Sequence, residues 1–471
     1  MAYCDFTITE AVSRLTRGQM STLDYIRDLL ERCERYRDLN ALISQDQEML
    51  LDAARRADRA RSSGNDLGSL HRIPIILKDN IDTADLPTTG GTPAFINHRP
   101  SKNAPVAQAL IDAGAIIFAK ANLHELAHGI TNNNAAFGPA RNPYAPDRIP
   151  GGSSGGCGVA VAARLAPGAI GTDTGGSVRI PSALCGIVGF RPSLGRYPQA
   201  GIIPISHTRD TAGPMTRSVK DAVLLDRVIT GDTSEIEPAN LHGLRLGDPR
   251  SPFYENIHTA VADAMESVLE RLRAYGVELV EMGLPDVHEI DQDAGFPIAL
   301  YEMLGDLNQY MAYHKTGLDF SHVVDEVASP DVRAVLEKLL TDDGISTEAY
   351  QKAMTKDRPI LEAAYRNYFA TNRVSAIVFP TTPLPAVPIG EDETTTLNGE
   401  TVPTFLTFIR NTSPGSLGGI PGLSLPVGIS PDGLPIGMEL DAPLNNDGKL
   451  LAIGLALEAL EPPLPAPNLS L

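Results

Sequence analysis

The chain has 471 residues, enough for one large α/β domain or for two or three average ones, and its 42% hydrophobic and 21% charged content is that of a folded globular protein. A formal net charge of −19 repels a phosphate backbone, so nucleic acid is not an expected partner. Four cysteines without a CxxC pair exclude a disulfide framework, and with no leader-like N-terminus and no apolar run of about 18 residues the expectation is an unanchored cytoplasmic protein.

Leu15, Leu23, Ile26, Leu29 and Leu30 recur near helical spacing, so residues 8–62 read as helices and 1–65 as a helical N-terminal arm. The apolar run 73–77 predicts a strand. A helix over 105–113 ends at Gly114 and is followed by a strand over 115–119. A short helix is expected from about 122 to 129. The Asn-, Pro-, Gly- and Ser-rich stretch 132–158 reads as an ordered loop with a helix over 159–165 behind it. Short buried strands at 168–171 and 187–190 precede a helix over 218–229. The pattern turns helical and acidic from about 255 to 373, as at 261–275 and 334–340. The Pro/Gly-rich stretch 376–438 returns to strands at 376–379 and 423–427, and 448–460 is a closing helix. No internal repeat is visible, and the alternation argues for a largely buried sheet covered by helices.

Two serines stand in separate glycine clusters, Gly151-Gly152-Ser153-Ser154-Gly155-Gly156 and Gly171-Thr172-Asp173-Thr174-Gly175-Gly176-Ser177. Glycine beside a hydroxyl lets the backbone come close to another group and aim several N–H donors at one point, as an oxyanion requires. The amides of Thr174, Gly175, Gly176 and Ser177 are the candidate oxyanion donors. A serine hydroxyl needs a neighbour that takes its proton and is neutral near pH 7. Lysine qualifies only when desolvated, and Lys78, directly after 73–77, is placed to lose its water. The competing readings are a surface lysine paired with Asp79 or Asp82 and, for either serine, a glycine-rich turn or helix cap.

Three other patterns compete. His124-Glu125-Leu126-Ala127-His128 fits HExxH, but no glutamate occurs between Glu125 and Glu235 to serve as a third zinc ligand. Gly151-Gly152-Ser153-Ser154-Gly155 fits GxSxG, yet the proline-rich residues 142–150 cannot form the buried strand that precedes a nucleophile elbow. Gly156-Cys157-Gly158 lacks a phosphate-loop lysine, and Cys157 reads as a small buried hydrophobe.

Lys78-Asp79-Asn80-Ile81, Thr88-Thr89-Gly90, the Gly-Gly-Ser-Ser-Gly-Gly cluster, the run 171–181 and Gly213-Pro214-Met215 together resemble the amidase signature family, as do 419–428 and 433–437. The resemblance covers most of the chain, more weakly over 235–400, and 197–210 is most similar to the mandelamide and indoleacetamide hydrolase branch. It implies an α/β fold, a twisted mixed sheet covered by helices on both faces, in a single domain over 1–471. The catalytic core would span 70–230 and a variable helical substrate-pocket region 255–410. It further implies Ser177 as acyl-accepting nucleophile, Ser153 as a bridging serine held through a cis peptide, and Lys78 as base. Asp173, Arg179 and Ser154 would support the nucleophile loop, and Ala127 and Gly129 would face the substrate. The expected reaction is hydrolysis of a small aryl or alkyl amide through an acyl-enzyme, with esters, anilides and carbamates open to the same chemistry. No metal or organic cofactor is expected, and the chain is expected to act as a monomer or homodimer. The alternative is a glutaminase subunit of a tRNA-dependent amidotransferase, which would pass ammonia to a partner.

Overall fold

Pro74–Lys78 is apolar until its last residue, and all five positions are buried, as expected of a strand covered on both faces. A computed structural model describes residues 2–63, 68–341, 343–461 and 464–469, so the last two positions of the expected 1–65 arm lie outside the described residues. In chain order the strands are β1 (Leu42–Ser44), β2 (Pro74–Lys78), β3 (Ile116–Ala121), β4 (Gly168–Asp173), β5 (Val188–Arg191), β6 (Thr211–Thr216) and β7 (Arg245–Asp248). They continue with β8 (Glu278–Glu281), β9 (Ala376–Pro380), β10 (Thr394–Leu397), β11 (Glu400–Pro403), β12 (Gly422–Ile429) and β13 (Pro435–Asp441). Among the described residues, all but the β10–β11 hairpin form one 11-stranded sheet in the order β1-β3-β2-β4-β6-β5-β12-β13-β9-β7-β8. The sheet is mixed: β2 runs parallel to β3 and β4, β4 runs antiparallel to β6, and β7 runs parallel to both β9 and β8. The fold is thus α/β, as the sequence pattern implied.

Local chemistry sets the helix ends. Ile8–Thr16 starts with a capping box in which Thr7 accepts from the Glu10 amide and Glu10 accepts from the Thr7 amide. Thr22–Arg35 is capped by Ser21, and Val219–Thr230 starts at Ser218 and stops where Gly231 turns left-handed at φ 71°. The apolar faces of the two N-terminal helices contribute Leu15, Tyr25, Ile26 and Leu29 to the same core as Ile75 and Ile76 of β2. Thr259–Ala274 and Asp447–Glu458 bury Val268, Leu269, Leu450 and Leu451 with β12 and β13.

The structure departs from the sequence reading at identifiable points. Residues 122–129 hold only a three-residue 3₁₀ turn, Glu125–Ala127, instead of a helix, because Leu126 and Ala127 take left-handed φ values of 51° and 62° that end any α-helical run. The helix expected at 159–165 starts earlier, as Gly155–Ala162, directly after Ser154. Strands β1, β6, β7, β8, β10, β11 and β13 are not among those expected from the sequence. A helix of 28 residues, Val287–His314, carries Pro297 inside it and spans much of the region read only as helical and acidic.

Candidate active site

β2 and β4 are adjacent parallel strands, with Leu77 opposite Ile170, so their carboxyl ends bring Lys78 and the 171–177 cluster together. The end of a parallel strand pair is a common place for a ligand site in an α/β sheet. Lys78 is completely buried, and its Nζ lies 2.7 Å from Ser153 Oγ and 2.8 Å from Thr172 Oγ1. Neither neighbouring carboxylate pairs with it. Asp79 faces Lys120 at 3.1 Å, while Asp82 accepts from the Tyr310 hydroxyl at 2.7 Å and meets His314 at 3.0 Å. Burial, only partly offset by the Asp173 and Asp210 carboxylates, lowers the Lys78 ammonium to a pKa of about 7. Near neutral pH the amine is therefore poised between its charged and neutral forms.

The glycine clusters do two jobs. A side chain at Gly171 would place its Cβ 2.7 Å from Ser154 Oγ, so the glycine lets Ser154 lie against β4, where its hydroxyl donates to Thr172 O at 3.1 Å. Gly176 takes φ 140°, and a Cβ there would lie 2.1 Å from Thr412 Oγ1, so no other residue fits that turn. The Gly152–Ser153 peptide bond is cis. Ser154 N donates to Ser177 O at 3.2 Å, which joins the two clusters. Ser177 caps no helix, since the helix Arg179–Leu184 starts after Val178 without a side-chain cap. Its hydroxyl has no protein hydrogen-bond partner among the described residues, and the residue opens onto a cavity of about 470 Å³.

One expected oxyanion donor is already engaged: the Gly176 amide donates to Asp173 Oδ1 at 2.8 Å. Of the four candidate donors, the amides of Thr174, Gly175 and Ser177 have no acceptor among the described residues. Asp173 also accepts from the Val178 amide, from Arg179 and from Arg191, each at 3.1 Å. Burial alone would raise its pKa, but the two guanidinium groups outweigh burial and hold it well below the usual carboxylate range. Arg179 reaches on to Glu439 at 2.9 Å, Ser416 at 2.7 Å and the Thr412 carbonyl at 3.0 Å, which fixes the 173–179 segment to β13 and to the Ser413–Leu417 helix. Thr174 Oγ1 donates to Asp210 at 2.6 Å and completes the frame.

The cavity wall comes mostly from distant segments. Ile205, Phe296, Ala299, Leu300, Val335, Phe405 and Ile409 make it apolar, and the Phe296 and Phe405 rings stand 5.7 Å apart. Ala127 and Gly129 also line it. Two of the HExxH residues are committed elsewhere: His124 Nε2 contacts Asp331 at 2.9 Å, its Nδ1 accepts from the Asn132 amide at 3.2 Å, and Glu125 accepts from the backbone of Ala328 and Ser329, while His128 lines the cavity with its Nε2 unpartnered among the described residues. The Cys157 thiol is fully buried, and burial raises its pKa to about 12, which leaves it unreactive. Thr172, Asn80 and Arg191 were not singled out from sequence. Thr172 and Asn80 lie inside the matched motifs, and that position was the available signal.

The family model Amidase matches residues 24–451. The chain is 47% identical over 452 residues to an indoleacetamide hydrolase of Agrobacterium vitis, covering 96% of each, and 37% identical over 481 residues to a mandelamide hydrolase of Pseudomonas putida, covering 99% of this chain and 93% of that one. It superposes on the native peptide amidase of Stenotrophomonas maltophilia with a TM-score of 0.87 at 30% identity, over 100% of this chain and 99% of that one. The chain belongs to the amidase signature family and is an amide-hydrolysing enzyme. None of the helices among the described residues is long and apolar enough to cross a membrane.

Proposed function

We propose that the enzyme hydrolyses small arylacetamides, of which indoleacetamide and mandelamide are the types, through a Ser177–Ser153–Lys78 relay and an acyl-enzyme. The observation that carries this reading is a fully buried, carboxylate-free Lys78 bonded to Ser153, beside a serine that opens on an aromatic-lined cavity. Ser177 Oγ attacks the carbonyl carbon while its proton passes to Ser153, whose own proton moves to the Lys78 amine. The oxyanion is held by the amides of Thr174, Gly175 and Ser177, each such donor being worth about 3–4 kcal/mol of barrier. The lysine then returns the proton through Ser153 to the departing nitrogen, ammonia leaves, and an ester to Ser177 remains. Water attacks that ester by the same route in reverse. Ala127 and Gly129 border the acyl group, while Asp173, Arg179 and Ser154 keep the nucleophile loop in place.

Residues 70–230 serve as catalytic core and 255–410 as the substrate-fitting part of a single domain acting in the cytoplasm. Esters, anilides and carbamates whose acyl side fits the cavity follow the same path. Phe296, Leu300, Val335, Phe405 and Ile409 offer an aryl ring an apolar surface, while Arg209, Asp331, Asp392 and Glu393 also line the cavity, so the assay against glutamine separates this reading from an amidotransferase subunit. The purified chain should release ammonia from indoleacetamide and phenylacetamide far faster than from glutamine. An activated phenylacetate ester should leave an acyl adduct on Ser177 that mass spectrometry locates. Preference for glutamine, or an adduct on another residue, would sink the reading.

A further inference from the structure

Three segments meet around a second group of side chains outside the cavity. Asp82 follows β2, His98 follows the short Pro93–Phe95 turn, and His314 is the last residue of the Val287–His314 helix. Asp82 Oδ2 lies 3.0 Å from His314 Nε2, Asp82 Oδ1 accepts from the Tyr310 hydroxyl at 2.7 Å, and that hydroxyl lies 3.0 Å from His98 Nε2. One ligand atom from each of Asp82, His98 and His314 falls within 4.8 Å of the other two. None of the three lines the cavity.

The geometry is unusual for a plain hydrogen-bond network. His314 Nε2 is buried and has no hydrogen-bond partner among the described residues, although a carboxylate oxygen is 3.0 Å away. A nitrogen and an oxygen this close yet out of line for a hydrogen bond are disposed like two ligands directed at a third point. Charge leads to the same place. Asp79 is paired with Lys120, whereas the only ion-pair contact of Asp82 among the described residues is His314. Two imidazoles and one carboxylate are a donor set that suits zinc, whose Zn–N and Zn–O distances of about 2.0–2.2 Å put tetrahedral ligand atoms about 3.4 Å apart. Modest side-chain rotation brings atoms already within 4.8 Å to that spacing.

We propose that Asp82, His98 and His314 bind one divalent transition-metal ion of the zinc class, with water or the Tyr310 hydroxyl in the fourth position. Such an ion ties the end of the helix that supplies Phe296, Ala299 and Leu300 to the segment that follows Lys78, and so acts as a staple remote from the acyl chemistry. The other three-residue cluster, His207, Glu302 and Asp306, is a weaker candidate because Glu302 already accepts from Ser206, Thr208 and Tyr350.

The full chain, treated with chelator and dialysed, is titrated with Zn²⁺ by calorimetry and with Co²⁺ by visible absorption. About one equivalent of Zn²⁺ should bind, Co²⁺ should show the intense bands of a tetrahedral site, and Zn²⁺ should raise the melting temperature. His98→Gln and His314→Gln should each weaken binding at least about tenfold and remove the tetrahedral bands, with far-UV circular dichroism unchanged. His207→Gln should bind as the parent does. No saturable binding by the parent, or equal binding by the H98Q/H314Q double variant, would overturn the proposal. Neither readout depends on turnover, so the outcome is separate from that of the amidase mechanism.

Discussion

Lys78, Thr172 and Asp173 sit at the ends of two adjacent parallel strands, with Ser153 and Ser177 in glycine-rich turns beside them, whereas the cavity wall draws, besides residues 124–131 and 174–209, on the long helix Val287–His314, three shorter helices and the loop at Asp392 and Glu393. The first group is fixed by buried polar bonds with little freedom to adjust: Lys78 has two hydroxyl partners, and the Asp173 carboxylate has five partner residues. The second is apolar packing, which tolerates substitution by size and changes which molecule fits more than whether bonds break. Damage to the first group should therefore show as lost chemistry or lost folding, and damage to the second as altered preference.

The sharpest way to break this contrast is Ser177→Ala, which should lower kcat for every substrate by about 10⁴–10⁶-fold with the fold retained. Uniform loss across a panel of aryl and alkyl amides is expected, and loss confined to aryl amides would place Ser177 in the wall instead.

Lys78→Met should cost nearly as much activity, about 10³–10⁴-fold, but its effect on stability runs the other way. An unfolded lysine holds its proton to about pH 10.4, while the folded one gives it up near 7. Between those values the unfolded chain binds the extra proton, so native stability from this residue rises with pH, and below 7 burying the charge costs roughly 4–5 kcal/mol. Urea titrations should show the methionine variant more stable than the parent at pH 6, less the cost of unpairing the Ser153 and Thr172 hydroxyls. That advantage should shrink toward pH 10. In the parent enzyme the same titration predicts that kcat/KM rises with pH and levels off above an apparent pKa of about 7. A flat profile from pH 5 to 9 would remove Lys78 as the base.

Arg179→Met should destabilise by about 3–5 kcal/mol, because it leaves Asp173, Glu439 and Asp441 buried around a missing cation. Chemical denaturation reads this directly. The smallest effect belongs to the wall. Phe296→Ala should reduce kcat/KM for arylacetamides by about 10–100-fold while changing that for propionamide by less than about threefold. An equal drop for both would mean that the two regions are not separable.

The residues of the proposed relay were legible because the properties the reading relies on are local. Ser153 lies beside Gly152, Ser177 follows Gly175-Gly176, and Lys78 ends an apolar strand, so hydroxyl, close approach and desolvation can each be read from immediate neighbours. The partners were less legible. Asp79 and Asp82 stand next to Lys78 in the chain and compete for it on paper, yet β3 supplies Lys120 to the first, and the 287–314 helix supplies Tyr310 and His314 to the second. Gly176 reads locally as one of four equivalent donors, yet the side chain of Asp173 takes its amide. The 122–129 segment has a helical composition, but the contacts of His124 with Asp331 and of Glu125 with Ala328 and Ser329 accompany a left-handed turn that no local propensity favours.

The sequence by itself determined the α/β class, the glycine-rich turns and the identity of the hydroxyls and the amine, since these follow from hydrophobic periodicity and from residue types that act at short range. Tertiary structure alone decided that Lys78 keeps no carboxylate and which amides stay free. It also decided which apolar side chains face the substrate. All three depend on groups that are neighbours in space and far apart along the chain, where desolvation and pairing are fixed only once the sheet has closed around them.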